Sequence, residues 1–197
     1  MIDQLRYIVL FSFIFGVWYL VLRKNPHYGW KLYPWTWYAE SRANGAKKIF
    51  KIFCFSMPII IFLWFLLPVV NTFAETLAGG IPSVEPGENP VAWMVGVSPY
   101  LLLVAATLAP IVEEWLCRGV ILEEIKKRRG SKVAVVLSAS VFGLLHLTNI
   151  GYSPHSFFVP FVSGLIFGIW YLKFGLFGSW LVHGGNNFLQ TVLWMVG

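Results

Sequence analysis

Six residues in the second half of this 197-residue chain have types and spacing suited to peptide-bond chemistry: Glu113, Glu114, Arg118, His146, His183 and Asn187. All lie in or beside otherwise apolar stretches, where an ionisable group is expensive and marks a functional site by default. Glu114 and Arg118 are four residues apart, so on a helix they meet and neutralise each other, which suits packing and function equally. Glu113 points about 100° away on the same helix and is left free by that pairing. Phe142 with His146, and His183 with Asn187, are also four apart, so each pair projects from one helix face. A glutamate can take a proton from water, a histidine can orient that water or protonate a leaving amine, and a histidine with an asparagine can donate hydrogen bonds to an oxyanion. Together these groups supply what amide hydrolysis needs. The chain has no serine in a Gly-x-Ser-x-Gly setting, no pair of membrane aspartates and no His-Glu-x-x-His, which argues against the serine, aspartyl and zincin routes.

The elements that must position these residues are apolar. Hydrophobic residues make up 57% of the chain and charged residues 12%, with a mean hydropathy of +0.68; a soluble domain carries roughly a quarter charged residues. Six stretches approach the ~20 residues that span a bilayer: about Leu5 to Leu22, Ile49 to Val70, Val91 to Val112, Val133 to Leu147, Phe157 to Leu172 and Leu176 to Val196. The expected fold is an all-α, polytopic membrane bundle of about six helices. Residues 1–90 form an N-terminal two-helix region with its loops, and residues 91–197 form a catalytic membrane core. The first stretch reads as an anchor, because Asp3 spoils a basic start and no small-residue cleavage site follows.

Charge fixes the orientation. The net charge of +6 does not point to nucleic acid, because the basic residues alternate between loops. Arg23, Lys24, Lys31, Arg42, Lys47, Lys48 and Lys51 follow the first stretch, and Lys126, Lys127, Arg128, Arg129 and Lys132 follow the third. Asn71 to Pro90 carries Glu75, Glu85 and Glu88 and no Lys or Arg. The basic loops are therefore expected in the cytoplasm and both termini outside, in a multi-pass protein of the cell membrane. Counted inward from the cytoplasmic ends, Glu113, His146 and His183 fall at depths of ~15, ~20 and ~11 Å, one layer in the cytoplasmic half of the bilayer. Gly184 and Gly185 thin the helix beside His183, where a peptide backbone would approach.

Blander readings cover other features. Tyr28, Trp30, Tyr33, Trp35, Trp37 and Tyr38 read as an interfacial aromatic segment. Gly164 and Gly168 read as a packing contact within the chain, and Lys126 to Arg129 with Glu123 and Glu124 as a solvated helix end. Cys54 and Cys117 show neither a disulfide framework nor zinc-ligand spacing.

The ordered set EEWLCR at 113–118, FGLLH at 142–146 and HGGNN at 183–187 resembles the EExxxR, FxxxH and HxxxN motifs of the CPBP intramembrane proteases, also called the Abi family. That family includes CAAX prenyl endopeptidases and bacteriocin-processing relatives. The resemblance covers about Leu101 to Val196. It implies that Glu113 and His146 activate water, that Glu114 and Arg118 brace the site, and that His183 and Asn187 form the oxyanion pocket. It also brings in a possible divalent metal such as zinc, with Glu113, His146 and His183 as candidate ligands, although the spacing is not a zinc signature by itself. The reading is an intramembrane endopeptidase that cuts a membrane-associated protein or peptide. Its alternative is a non-catalytic scaffold or immunity-type protein that binds such a peptide. Transport through a Glu/His relay is disfavoured, because the polar groups form a layer and not a track.

Overall fold

The computed structural model describes residues 26–31, 33–43, 45–77, 99–147 and 157–196, together with Gly16 and Tyr19. Among these the chain is all-helical: α1 (His27–Trp30), α2 (Pro34–Ala43), α3 (Ala46–Leu77), α4 (Pro99–Glu114), a π-helical run (Trp115–Leu122), α5 (Glu123–Arg129), α6 (Ser131–His146) and α7 (Phe158–Val196). Apart from Gly16 and Tyr19, the first apolar stretch lies outside the described residues, as do residues 91–98 of the third and the loop around Asn149 to Ser156.

Breaks fall where residue type demands them. Gly45, Gly130 and Gly175 have positive φ, a conformation that only glycine adopts cheaply. They separate α2 from α3, α5 from α6, and the two arms of α7. At Gly175 the backbone turns sharply (φ 74°, ψ −170°). The second arm then folds back along the first, since the Ser179 hydroxyl oxygen lies 3.0 Å from the Phe167 carbonyl and the Phe167 ring stacks on His183 at 4.5 Å. On a straight helix residues 167 and 183 would stand about 24 Å apart. α7 is therefore a helical hairpin whose arms match the fifth and sixth apolar stretches.

The other elements depart from the sequence reading at their ends. The helix that carries Glu113 does not stop near Val112 but runs on without a break through the π-helical turns to Arg129. Two of the six aromatics expected at the interface are instead core residues: Tyr28 and Trp37 are each 1% exposed, whereas Tyr33, Trp35 and Tyr38 remain exposed. Both buried rings have polar tips that find partners, which makes their burial affordable. Trp37 Nε1 donates to the Lys31 carbonyl at 2.5 Å, and the Tyr28 hydroxyl bonds Glu124.

Among the described residues Ala46–Ala74 is an unbroken helix long and apolar enough to cross a membrane; the apolar run Phe158–Leu193 also has the length, but Gly175 divides it into two arms, and Ser131–His146 is apolar but shorter. α3 turns Phe50, Phe62, Phe65, Val69 and Phe73 outward, each more than half exposed, a face fit for lipid. α6 and the first arm of α7 pack through small residues. A Cβ on Gly164 would lie 3.1 Å from the Ala139 Cα, and one on Gly168 would lie 3.2 Å from Val135. The Gly164/Gly168 pair is spent on packing within the chain.

Candidate active site

α4 delivers the two glutamates to different surroundings. Glu114 is fully buried and Arg118 with it. Arg118 donates from Nη1 to Glu114 Oε1 (3.0 Å) and from Nη2 to the Gly164 carbonyl (3.0 Å). Its guanidinium also lies over the rings of Phe142 (4.6 Å) and Phe167 (5.4 Å), where the ring quadrupole favours a cation. Glu114 accepts two further bonds, from His183 Nδ1 at Oε1 (2.9 Å) and from the Ser179 hydroxyl at Oε2. A carboxylate so surrounded is fixed and has little capacity left to act on a substrate. Glu113 differs: its side chain is 32% exposed and its nearest ionisable neighbour is His183, with Oε2 3.5 Å from Nε2.

The π-helical run explains how α4 serves both sides. Its wider turn begins at Trp115, directly after the paired glutamates, and π-turns of this kind concentrate at functional sites. The irregular backbone is tied down laterally, because Ser138 of α6 donates to the Cys117 carbonyl at 2.7 Å. Trp115 Nε1 reaches the Tyr28 carbonyl at 2.9 Å, so α1 braces the run from the other side.

Both imidazoles have a defined tautomeric demand. His146 Nδ1 is 2.8 Å from the Phe142 carbonyl, which can only accept, so the hydrogen sits on Nδ1. His183 Nδ1 faces the Glu114 carboxylate, with the same consequence. Each ring is left with Nε2 for chemistry. Phe142 stands between them, 4.5 Å from the His146 ring and 5.4 Å from the His183 ring. Glu113 and His183 are both within electrostatic range of His146. With neutral imidazoles, two carboxylates against one guanidinium leave the cluster one negative charge.

The structure thus brings Glu113, Glu114, Arg118, His146 and His183 together. Asn187 follows His183 by one turn on the second arm of α7 and is partly buried. The sequence reading pairs His183 with Asn187 on one helix face and does not reveal the further bond from His183 Nδ1 to Glu114. It also passed over Ser179 and Asn186. Ser179 precedes His183 by four residues and is in phase with it, a signal the spacing did contain. Asn186 is 4% exposed and its Oδ1 has no hydrogen-bond partner among the described residues, which its position next to Asn187 does not reveal.

Residues 96–189, which include all three motifs, match the family model described as type II CAAX prenyl endopeptidase, Rce1-like. Residues 96–189 are thus similar to that family. The match agrees with the family resemblance carried by the motifs, and the family is one of proteases. No curated protein and no solved structure matches the chain. Glu113, His146 and His183 are the candidate ligands of a divalent metal. Among the described residues no three His, Cys, Asp or Glu side chains converge closely enough to hold one ion, so the donor set as arranged does not fit a catalytic zinc with three protein ligands.

Proposed function

We propose that this chain is a multi-pass intramembrane endopeptidase that hydrolyses a peptide bond of a membrane-associated protein or peptide, with Glu113 as general base. The observation that carries the proposal is the division of labour between adjacent carboxylates. Glu114 is buried and tied by Arg118, His183 and Ser179, while Glu113 is accessible and faces an imidazole nitrogen. A water held between Glu113 and the Nε2 atoms of His146 and His183 would lose a proton to Glu113 and attack the scissile carbonyl. The proton then passes to the leaving amine, with an imidazole as the relay. Asn187 would donate from its side-chain amide to the oxyanion as charge builds on it, and His183 would join it from Nε2 once that ring holds the relayed proton, where a dry site makes each donor worth most. Hydrolysis in this reading proceeds without a bound metal, and the family's CAAX-type substrates set the first class to try.

Glu113→Gln tests it. The purified variant should assemble as the wild type does and lose at least about 10²-fold in cleavage, the scale of a positioned general base. The readout is mass spectrometry of membrane-associated peptides from wild-type and variant preparations. Retained cleavage would remove Glu113 as the base, and an unchanged peptide pattern with no cleavage in either would favour the peptide-binding scaffold. Elemental analysis with chelator treatment tests the metal-free step: one tightly held metal per chain, required for turnover, would overturn it.

A further inference from the structure

Away from the glutamate cluster, a cavity of about 340 Å³ opens where α7 turns at Gly175. It lies between α2, the start of α3, α5 and the turn, and is separated from His183 by eight residues of the second arm, about 12 Å. Its size falls within the range of small-ligand sites. Three ammonium groups border it: Lys48, Lys126 and Lys173. Two carboxylates also line it, but Glu123 is already engaged. It accepts hydrogen bonds from Lys126 Nζ (2.9 Å) and the Tyr171 hydroxyl (2.8 Å). Partial burial pushes the Glu123 pKa up, and these two donors outweigh that and hold it below the usual carboxylate range. Glu40 is the second carboxylate, beside Lys48 and Lys173. Lys173 lies over the rings of Phe55, Phe174 and Trp170 at 5.1 to 5.8 Å, so its charge is held at the cavity by aromatic faces and not by a carboxylate.

We propose that this cavity binds the phosphate of an anionic phospholipid headgroup. Lysines hold phosphate as point charges and need no single geometry, which suits three flexible ammonium groups on three elements. Basic pockets between membrane helices are built this way for lipid headgroups. The surroundings favour a lipid over a soluble anion: the lining itself is mainly polar, but exposed Leu172 stands at its rim and the outward aromatic face of α3 begins beside it at Phe50. A ligand seated here would touch both arms of α7 and so brace the arm that carries Ser179 and His183.

The test uses the full-length protein in detergent, with binding of phosphatidylglycerol and phosphatidylcholine followed by native mass spectrometry and thermal shift. Phosphatidylglycerol should bind saturably and more tightly than phosphatidylcholine. The double variant Lys48→Gln, Lys173→Gln should lose that preference by about 10- to 30-fold, as two lysines near a lipid phosphate supply. Lys47→Gln with Lys132→Gln removes the same charge outside the cavity and should change binding less than about 2-fold. Both lysines of the first pair are at least partly exposed, so folding should survive, and each single variant should show part of the loss. A thermal shift from millimolar inorganic phosphate equal to that from the lipid, and lost in the same double variant, would overturn the lipid in favour of free phosphate. Equal affinity for the two lipids, or equal losses in the two double variants, would overturn the site.

Discussion

Glu114 and Arg118 are two charges with no exposed surface, and burying both costs several kcal/mol of solvation that only dense pairing can offset. The pairing is dense: the guanidinium meets a carboxylate, a carbonyl and two ring faces, and the carboxylate meets an arginine, a histidine and a serine. Arg118→Ala strands Glu114 and should cost on the order of 3 to 5 kcal/mol, the usual loss when one partner of a buried pair is removed. Replacing both, Glu114→Gln with Arg118→Met, should recover part of it. Thermal unfolding in detergent measures both, and an unchanged midpoint for Arg118→Ala would show the pair to be solvated. Asn187→Ala is expected to act differently, lowering kcat by ~10²-fold or more with KM little changed, because an oxyanion donor strengthens only as charge develops. Steady-state kinetics on the peptide identified by mass spectrometry decides it, and a rise in KM at constant kcat would make Asn187 a ground-state binder. The Glu114–Arg118 pairing was legible as an i, i+4 spacing, because a helix brings such residues together whatever its surroundings. The His183–Glu114 bond was not, because it joins residues 69 apart through a hairpin whose packing no spacing encodes.

At the scale of elements, the devices that set the site are a turn and a bulged helix. Gly175 sits at φ 74°, ψ −170°, a region essentially closed to other residues, so Gly175→Ala should cost ~1–3 kcal/mol or more. The loss should appear as a lower unfolding temperature and as reduced activity, since Ser179 and His183 ride on the arm beyond the turn. A variant as stable and active as wild type would mean that the hairpin tolerates another turn. Tyr28 offers a test of the π-helical run. Tyr28→Ala empties a buried ring site in the residue whose carbonyl Trp115 bonds and should destabilise by about 3–5 kcal/mol, whereas Tyr28→Phe keeps the ring and should cost far less, because Lys127 still pairs with Glu124 at 2.7 Å. The glycine break between two apolar runs could be read from the sequence. The π-helix could not, because its residues keep an ordinary helical composition and the extra residue per turn is imposed by packing. Tyr28 and Trp37 were misplaced for a related reason: an amphipathic ring suits both an interface and a core with a polar partner, and only tertiary contacts choose.

The whole molecule sorts its charge by end. Lys48, Lys126 and Lys173 come from three different connections, yet they border one cavity, and Tyr28 from the first connection bonds Glu124 and receives a bond from Lys127 in the third at 2.9 Å. The basic connections therefore share one end of the bundle, as alternating loops require if that end is cytoplasmic. Six crossings with both termini outside would require this arrangement, and in the proposed reading the glutamate cluster would then meet substrates presented from the cytoplasmic leaflet. Single cysteines at positions 44 and 89 test the arrangement with a membrane-impermeant thiol reagent. Cys54 is exposed, so it must first become serine, while buried Cys117 can stay. In intact cells the reagent should label Asn89→Cys and spare Asn44→Cys, and permeabilisation should expose position 44. Labelling of 44 with protection of 89 would invert the molecule and move the cationic cavity, with its proposed lipid, to the outer face. Labelling of both in intact cells would mean that α3 does not cross the membrane, and the six-helix arrangement would fall with it.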